Sequence, residues 1–347
     1  MKQRELGRTG IPVSEMCLGT MTFGTQTSEA DSHAQMDMAL DHGVQFWDCA
    51  EMYPVNPLSR ETQGDAERIL GNWFEKTGRR SEVVLATKHS GEGYMNVRDG
   101  APITAETIPA AIEGSLARLK TDVIDLYQFH WPNRGSYMFR KNWTYDPSGQ
   151  DRAETIAHME EALGALHKEV ERGTIRAFGL SNESAWGTCQ WLQAAERVGG
   201  PRVASVQNEY SLLCRLYDTD MAEMSVNEDV GLLAFSPLAA GFLSGKYQGG
   251  QVPDGSRKSL VPEMGGRMTP RVLEAVAAYL AIAERHGLDP VHMALAWTLT
   301  RPFMGSSIFG ATTLGQLEHA LGAADVSLSS EVLAEIDAAH KAHPMPY

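Results

Sequence analysis

Residues 82–130 open on Glu82-Val-Val-Leu-Ala-Thr-Lys88 and close on Val123-Ile-Asp-Leu-Tyr-Gln-Phe-His130. Between these two apolar runs, residues 104–119 carry Ile108, Ile112, Leu116 and Leu119 at the spacing of one helix face. Short apolar runs on either side of an amphipathic helix predict strands at 82–87 and 123–129. Repeated strand–helix units of this kind demand a parallel sheet.

The alternation continues in both directions. Upstream, residues 14–18 predict a strand leading into Gly19-Thr20. Ser28 is placed to cap a helix running to about His42, with Asp31 completing a capping box. Residues 44–47 predict a strand ending at Asp48, and residues 62–74 a helix facing inward through Ala66, Ile69, Leu70, Trp73 and Phe74. Downstream, Met159, Ala162, Leu163, Leu166 and Val170 share a helix face, and Gly173 sits where a C-cap belongs. Further strands are predicted at 175–180, 203–206, 231–235 and 306–309. Helices are predicted at about 183–198, 269–286 and 290–300, with a closing helix pair. No linker rich in Pro, Gly and Ser divides the chain. Eight strand-like segments therefore point to one α/β domain over residues 1–347, a closed (β/α)8 TIM barrel with long βα loops. An open dinucleotide-binding sheet is the weaker reading, because no GxGxxG follows an early strand.

Composition narrows the partners. Hydrophobic residues make up 43% of the chain, enough for a large core. Lys plus Arg number 30 against 44 Asp plus Glu, a net charge of −14 that disfavours nucleic acid as a general partner. Met1-Lys2-Gln3-Arg4-Glu5 is followed by no apolar run, so no secretory signal is expected. No stretch approaches the ~18 apolar residues of a membrane span. Cys17, Cys49, Cys189 and Cys214 form no CxxC pair and read as free thiols in a reducing, cytoplasmic setting. Helix faces give no clear oligomer seam, and a homo-oligomer is compatible with the sequence.

Barrel active sites lie at the C-terminal ends of the strands. Asp48, Lys88 and His130 end three consecutive apolar runs, and Tyr53 lies in the loop after Asp48. Singly, each has an ordinary reading: a helix cap, a solvated lysine, a loop histidine, a turn aromatic. Together they suit a carbonyl that accepts hydride, whose oxygen gains negative charge and needs a proton and a hydrogen-bond donor. Free tyrosine has a pKa of about 10. A lysine charge ~4 Å away at an effective dielectric of about 20 is worth roughly 4 kcal/mol, about three pKa units toward phenolate. Asp48 would hold that lysine charged, and His130 would orient the substrate oxygen and help relay the proton.

These residues also resemble the aldo-keto reductase family. Asp48-Cys-Ala-Glu-Met-Tyr53 resembles its Asp-x-Ala-x-x-Tyr element, beside Ala86-Thr87-Lys88 and Phe129-His130-Trp131-Pro132. Gly179-Leu180-Ser181-Asn182 and Gln207-Asn208-Glu209-Tyr210-Ser211 resemble its Gly-x-Ser-Asn and Gln-Asn-x-Tyr-Ser. Phe235-Ser236-Pro237-Leu238, Ser244-Gly245-Lys246-Tyr247 and Gly310-Ala311-Thr312 resemble its cofactor segments. Met21-Thr22-Phe23-Gly24 and Ala50-Glu51-Met52-Tyr53-Pro54-Val55 bring the chain near a bacterial, Tas-like branch that also resembles the β subunits of voltage-gated potassium channels.

The resemblance implies a reductase of aldehydes or ketones that uses NADP(H) and no metal. Asp48, Tyr53, Lys88 and His130 would be catalytic, with Tyr53 the proton donor, and Tyr53, His130 and Trp131 would meet substrate. Ser181, Asn182 and Gln207 would hold the carboxamide and Phe235 would stack on the nicotinamide. Ser236, Leu238 and Lys246 would contact the diphosphate, with Gly241 letting the backbone approach. Arg257 and Thr312 would take the 2′-phosphate, and Gln316 the adenosine. Thr20, Met21, Gln26, Asp48, Pro237, Ala239 and Gly310 complete the implied cofactor contacts. Two departures bear on the adenosine end: His319-Ala320 stands where many relatives have Glu-Asn, and Gln316 replaces an Arg.

Other motifs are weaker. Gly241-Phe-Leu-Ser-Gly245-Lys246 lacks the spacing and the Ser/Thr of a P-loop. No HExxH, HxH or carboxylate-rich cluster suggests a metal-dependent hydrolase. Residues 131–152 are long for a βα loop and hold Trp131, Tyr137, Phe139, Trp143 and Tyr145, which predicts an aromatic wall for the substrate pocket. The alternative is a loop simply packed on the barrel. A second function also fits the resemblance, a nicotinamide-binding redox sensor or regulatory subunit with little turnover.

Overall fold

A computed structural model describes residues 1–347. In chain order its elements are β1 (Gln3–Glu5), β2 (Pro12–Ser14), β3 (Met16–Gly19), α1 (Glu29–Asp41), β4 (Phe46–Asp48), α2 (Asp65–Thr77) and β5 (Val84–His89). Then come α3 (Thr107–Leu119), β6 (Ile124–Phe129), α4 (Arg152–Arg172), β7 (Ile175–Ser181), α5 (Ala185–Val198), β8 (Val203–Glu209), α6 (Asp220–Glu228) and β9 (Gly231–Phe235). The chain ends through α7 (Arg257–Leu260), α8 (Val272–Arg285), α9 (Pro290–Leu299), β10 (Met304–Phe309), α10 (Leu314–Leu321) and α11 (Ser330–Ala342).

Strands β3 to β10 close into one parallel barrel, with β10 pairing both β9 and β3. The (β/α)8 expectation therefore holds. Each barrel strand sends one residue into a common interior layer: Cys17, Phe46, Ala86, Leu126, Ala177, Ala204, Leu233 and Ile308. Leu6, Ile11 and Val13 join that layer from the antiparallel β1–β2 hairpin, which precedes β3 and so plugs the N-terminal end. A closed floor leaves the opposite end for chemistry. The larger core lies outside the barrel wall, where Trp47, Tyr127, Phe129 and Phe178 meet the helices.

Local signals account for the helix limits. Ser28 caps α1 by accepting from the Asp31 N–H, Asp151 caps α4 and Ser184 caps α5. Gly173 ends α4 at φ 75°. Some boundaries differ from the sequence reading. Strand β5 begins two residues late because Arg80–Glu82 winds into a helical turn, held by a bidentate Arg79–Glu82 pair at 2.9 Å. At its other end β5 runs on to His89, so Lys88 sits inside the strand rather than after it. Strand β8 runs on through Gln207, Asn208 and Glu209, which are buried and hydrogen-bonded, so polarity alone does not end it.

The long loop at 131–152 is fastened over the C-terminal ends of β7 and β8. Arg134 pairs with Glu183, Ser136 Oγ donates to the Asn182 carbonyl at 2.7 Å, and Arg140 donates to Glu209 at 2.7 Å. Glu209 also accepts from Arg267 Nε at 2.8 Å and from the Tyr347 hydroxyl at 3.3 Å, so one buried carboxylate joins three covering segments. Burial alone would raise the Glu209 carboxyl, but Arg267 and Arg140 reverse this and hold it below the ordinary carboxylate range. In the unfolded chain the group returns to about 4.3. Its contribution is thus complete above that pH and is lost as pH falls through the lower folded value. Glu209→Gln is expected to lose about 1–3 kcal/mol near neutral pH. Its thermal melts should converge on those of the unmodified protein as pH drops below about 4.

Candidate active site

The strands bring the four separated residues to one point at the open end. Lys88 Nζ donates to Asp48 Oδ2 at 2.6 Å, to the Cys49 carbonyl at 2.7 Å and to the Tyr53 hydroxyl at 3.3 Å. The ammonium also lies 4.7 Å from the centre of the Tyr53 ring. Asp48 Oδ1 accepts from Gln207 Nε2 at 2.8 Å and Gln128 Nε2 at 3.2 Å. His130 meets the Tyr53 ring edge-on with centroids 5.8 Å apart. Because Lys88 donates to the phenol oxygen, the phenolic proton remains free to point elsewhere.

Burial shapes the protonation. Lys88 is fully buried, which opposes its charge, but Asp48 overrides this and holds the ammonium above its ordinary value. The expectation of an acidified Tyr53 is corrected. Burial raises its pKa, Lys88 pulls it down, and Asp48 pushes it back up, with a net rise. A pairwise Coulomb sum fails here because the buried phenolate would lose its water. Tyr53 is therefore a neutral phenol at physiological pH, the form a proton donor needs. Burial, reinforced by Lys88, keeps His130 well below the ordinary histidine range, so its imidazole is neutral as well.

Gln128 was not singled out in the sequence, although it lies two residues before His130 and so on the same face of β6. Its amide bridges Asp48 and Gln207. Glu51 was also passed over as a functional residue. It accepts from the Ser90 N–H at 2.6 Å and from both Arg98 terminal nitrogens at 2.6 and 2.8 Å, tying the Tyr53 loop to the segment after β5.

The residues expected to hold a dinucleotide line the same end. Ser181 Oγ donates to the Gln207 carbonyl at 2.8 Å, and Asn182 Nδ2 donates to the His130 carbonyl at 2.8 Å. That leaves Asn182 Oδ1 buried with no partner, as are His130 Nδ1, Tyr247 Oη and Ser256 Oγ. Phe235 ends β9 half-buried, with Ser236, Pro237, Leu238 and Ala239 directly after it. Gly241 has φ +94°, and a Cβ there would stand 3.0 Å from Lys246 Nζ. Lys246 and Arg257 have no carboxylate acting on them. An unfilled carbonyl acceptor, a backbone cradle and two uncompensated cations fit the carboxamide, the close approach and the phosphates of a nicotinamide dinucleotide.

Other expected contacts are placed less directly. Thr20 is fully buried and donates its hydroxyl to the Asp48 carbonyl at 2.9 Å. Met21 and Gln26 are half-buried in the segment after β3, and Gly310 is exposed just after β10. The Thr312 N–H and hydroxyl both donate to Gln316 Oε1 at 3.0 Å.

The aromatics of the long loop fall into separate groups. Trp131 packs on His130 at 5.0 Å and on Phe139 at 6.4 Å. Tyr137 and Tyr145 pack on each other, and Trp143 is 56% exposed beside Arg271. A cavity of about 430 Å³ opens behind the loop, between Phe129, Leu180, Met159 and Trp191. It shares Trp131 and Ser181 with the tetrad's surroundings but touches none of the four, so volume does not locate the chemistry here.

The closed parallel barrel thus carries a buried Tyr–Lys–Asp group with an adjacent imidazole at its mouth. Residues 15–341 match the model of the Aldo/keto reductase family, and the chain belongs to that family of oxidoreductases, which generally use NAD(P)H. The chain is 42% identical to "Protein tas" of Escherichia coli (strain K12), over 100% of this chain and 99% of that protein. It is 32% identical to the "Uncharacterized oxidoreductase YrpG" of Bacillus subtilis, over 96% and 94%. It is 30% identical to a "Probable voltage-gated potassium channel subunit beta" of Arabidopsis thaliana, over 94% and 92%. No helix is long and apolar enough to cross a membrane.

Proposed function

We propose that the protein is an NADP(H)-dependent reductase of aldehydes or ketones, with Tyr53 as general acid. The observation that carries this reading is the Tyr53 hydroxyl, neutral and buried, 3.3 Å from the Lys88 ammonium. When bound, the nicotinamide supplies hydride to the carbonyl carbon. Tyr53 then delivers its proton to the carbonyl oxygen as negative charge grows there. Lys88 stabilises the phenolate left behind, and Asp48 keeps Lys88 charged and fixed. Neutral His130 offers an N–H to the same oxygen, and Trp131 limits the approach of water and substrate. Ser181, Asn182 and Gln207 would orient the carboxamide beneath Phe235. Lys246 and the Gly241 backbone would hold the diphosphate, while Arg257, Thr312 and Gln316 would hold the phosphorylated adenosine.

Arg257 without a carboxylate partner supports NADPH over NADH. Four unpaired thiols support a reducing, cytoplasmic setting. The direct test is NADPH oxidation with 4-nitrobenzaldehyde, with the alcohol identified and NADH run in parallel. Turnover, faster with NADPH, is expected. Tight cofactor binding with no turnover of any carbonyl would favour the sensor reading, which the channel-subunit relatives suggest.

The cradle makes its own prediction. Gly241→Val places a branched side chain against Lys246 at a left-handed φ, a strain of about 1–3 kcal/mol. NADPH affinity, read by quenching of protein fluorescence, is expected to fall about tenfold or more. Unchanged affinity would move the diphosphate elsewhere.

A further inference from the structure

On the outer surface, Asp289 and His292 at the start of α9 meet His319 of α10. One nitrogen from each imidazole and one carboxylate oxygen all lie within 4.8 Å of one another. We infer that these three side chains form a site for a divalent transition-metal ion of the Zn²⁺ class.

The donor set is of the right kind. Two imidazoles and one carboxylate suit Zn²⁺, Co²⁺ or Ni²⁺ better than the hard, oxygen-seeking Mg²⁺ or Ca²⁺. Two of the ligands, Asp289 and His292, are also held before any ion arrives. Asp289 Oδ1 accepts from the Val291 and His292 N–H groups at 2.8 and 3.0 Å, capping α9 and fixing the carboxylate plane. Its other oxygen, Oδ2, lies 2.9 Å from His319 Nε2. His292 Nε2 donates to the His319 carbonyl at 2.6 Å, so the remaining ring nitrogen keeps its lone pair. A backbone carbonyl that fixes the tautomer of a ligating histidine is a usual support of metal sites. The two rings stand 4.8 Å apart, centre to centre.

Bonds of about 2.0–2.1 Å require ligand atoms roughly 3.5 Å apart. The present span of up to 4.8 Å must therefore contract on binding, with exposed His319 turning and giving up its hydrogen bond to Asp289. The site is open to solvent on the His319 side, leaving room for water as a fourth ligand. The absence of a metal motif in the sequence does not bear on it, because the ligands come from two helices on either side of β10. A bound ion would fasten α10 to α9, and α10 carries Gln316 at the expected adenosine end.

The test uses the full chain after EDTA treatment. Co²⁺ is titrated in by visible spectroscopy and Zn²⁺ by calorimetry, and melting is followed with and without Zn²⁺. One equivalent is expected, with nitrogen–oxygen ligand-field bands and a higher melting temperature. His319→Gln and His292→Gln should each weaken binding by about tenfold or more and abolish the thermal shift, while Tyr53→Phe leaves both intact. Circular dichroism checks that the variants fold, and Asp289→Asn, which keeps the cap, serves as a third ligand deletion. No binding, equal affinity in the variants, or thiolate absorption from the cysteines would overturn the site.

Discussion

Lys88→Met is expected to destabilise the protein by about 3–5 kcal/mol, more than any other single change at the mouth. The reason is not the lost attraction itself. Lys88 is fully buried and the Asp48 side chain is only 3% exposed. Removing the ammonium leaves a carboxylate in the interior with the amides of Gln207 and Gln128 as its remaining side-chain donors. Methionine fills the lysine stem's space, so packing is largely kept. The double change Lys88→Met with Asp48→Asn should recover much of the loss, because no buried charge is then unpaired. Reduction should be abolished in both. Thermal and urea melts of the three proteins check this, and a single variant as stable as the parent would mean that the pair is not a buried ion pair.

Tyr53→Phe should act on rate alone. The ring stays beneath Lys88 and against His130, and only the hydroxyl is removed. Loss of a general acid lowers kcat on the order of 10²–10⁴-fold, while NADPH affinity and melting temperature should hardly change. The raised Tyr53 value and the neutral His130 also set the pH profile of the parent. A donor must be protonated to act, so kcat for reduction should be flat through neutrality and fall only above about 10. A fall near pH 6.5 would instead implicate a titrating histidine. Steady-state kinetics across pH, with cofactor binding measured separately, distinguish these outcomes.

The barrel was legible because its strands are apolar runs and its helices keep one apolar face, as with Ile108, Ile112, Leu116 and Leu119. The tetrad was legible for a related reason: ionisable residues that interrupt apolar runs must have partners. What escaped notice has physical causes. The β1–β2 hairpin is three residues a side, and α6 carries few apolar residues to mark its face. Glu209 reads as an ordinary polar residue after a strand, yet it gathers Arg140, Arg267 and Tyr347 from segments far apart in the chain. The protonation state of Tyr53 is not legible in the sequence, because a pairwise charge argument omits the water that burial removes. The surface histidines meet only through the packing of α9 against α10, which no spacing in the sequence encodes.

The most direct test of the reductase reading is a single turnover with NADPH deuterated at the transferable C4 position and 4-nitrobenzaldehyde, followed by mass spectrometry of the product. One deuterium on the carbinol carbon per cofactor oxidised is predicted, with transfer slowed in Tyr53→Phe despite full cofactor occupancy. Alcohol without deuterium, or equal transfer rates in the two proteins, would contradict hydride transfer with Tyr53 as the acid.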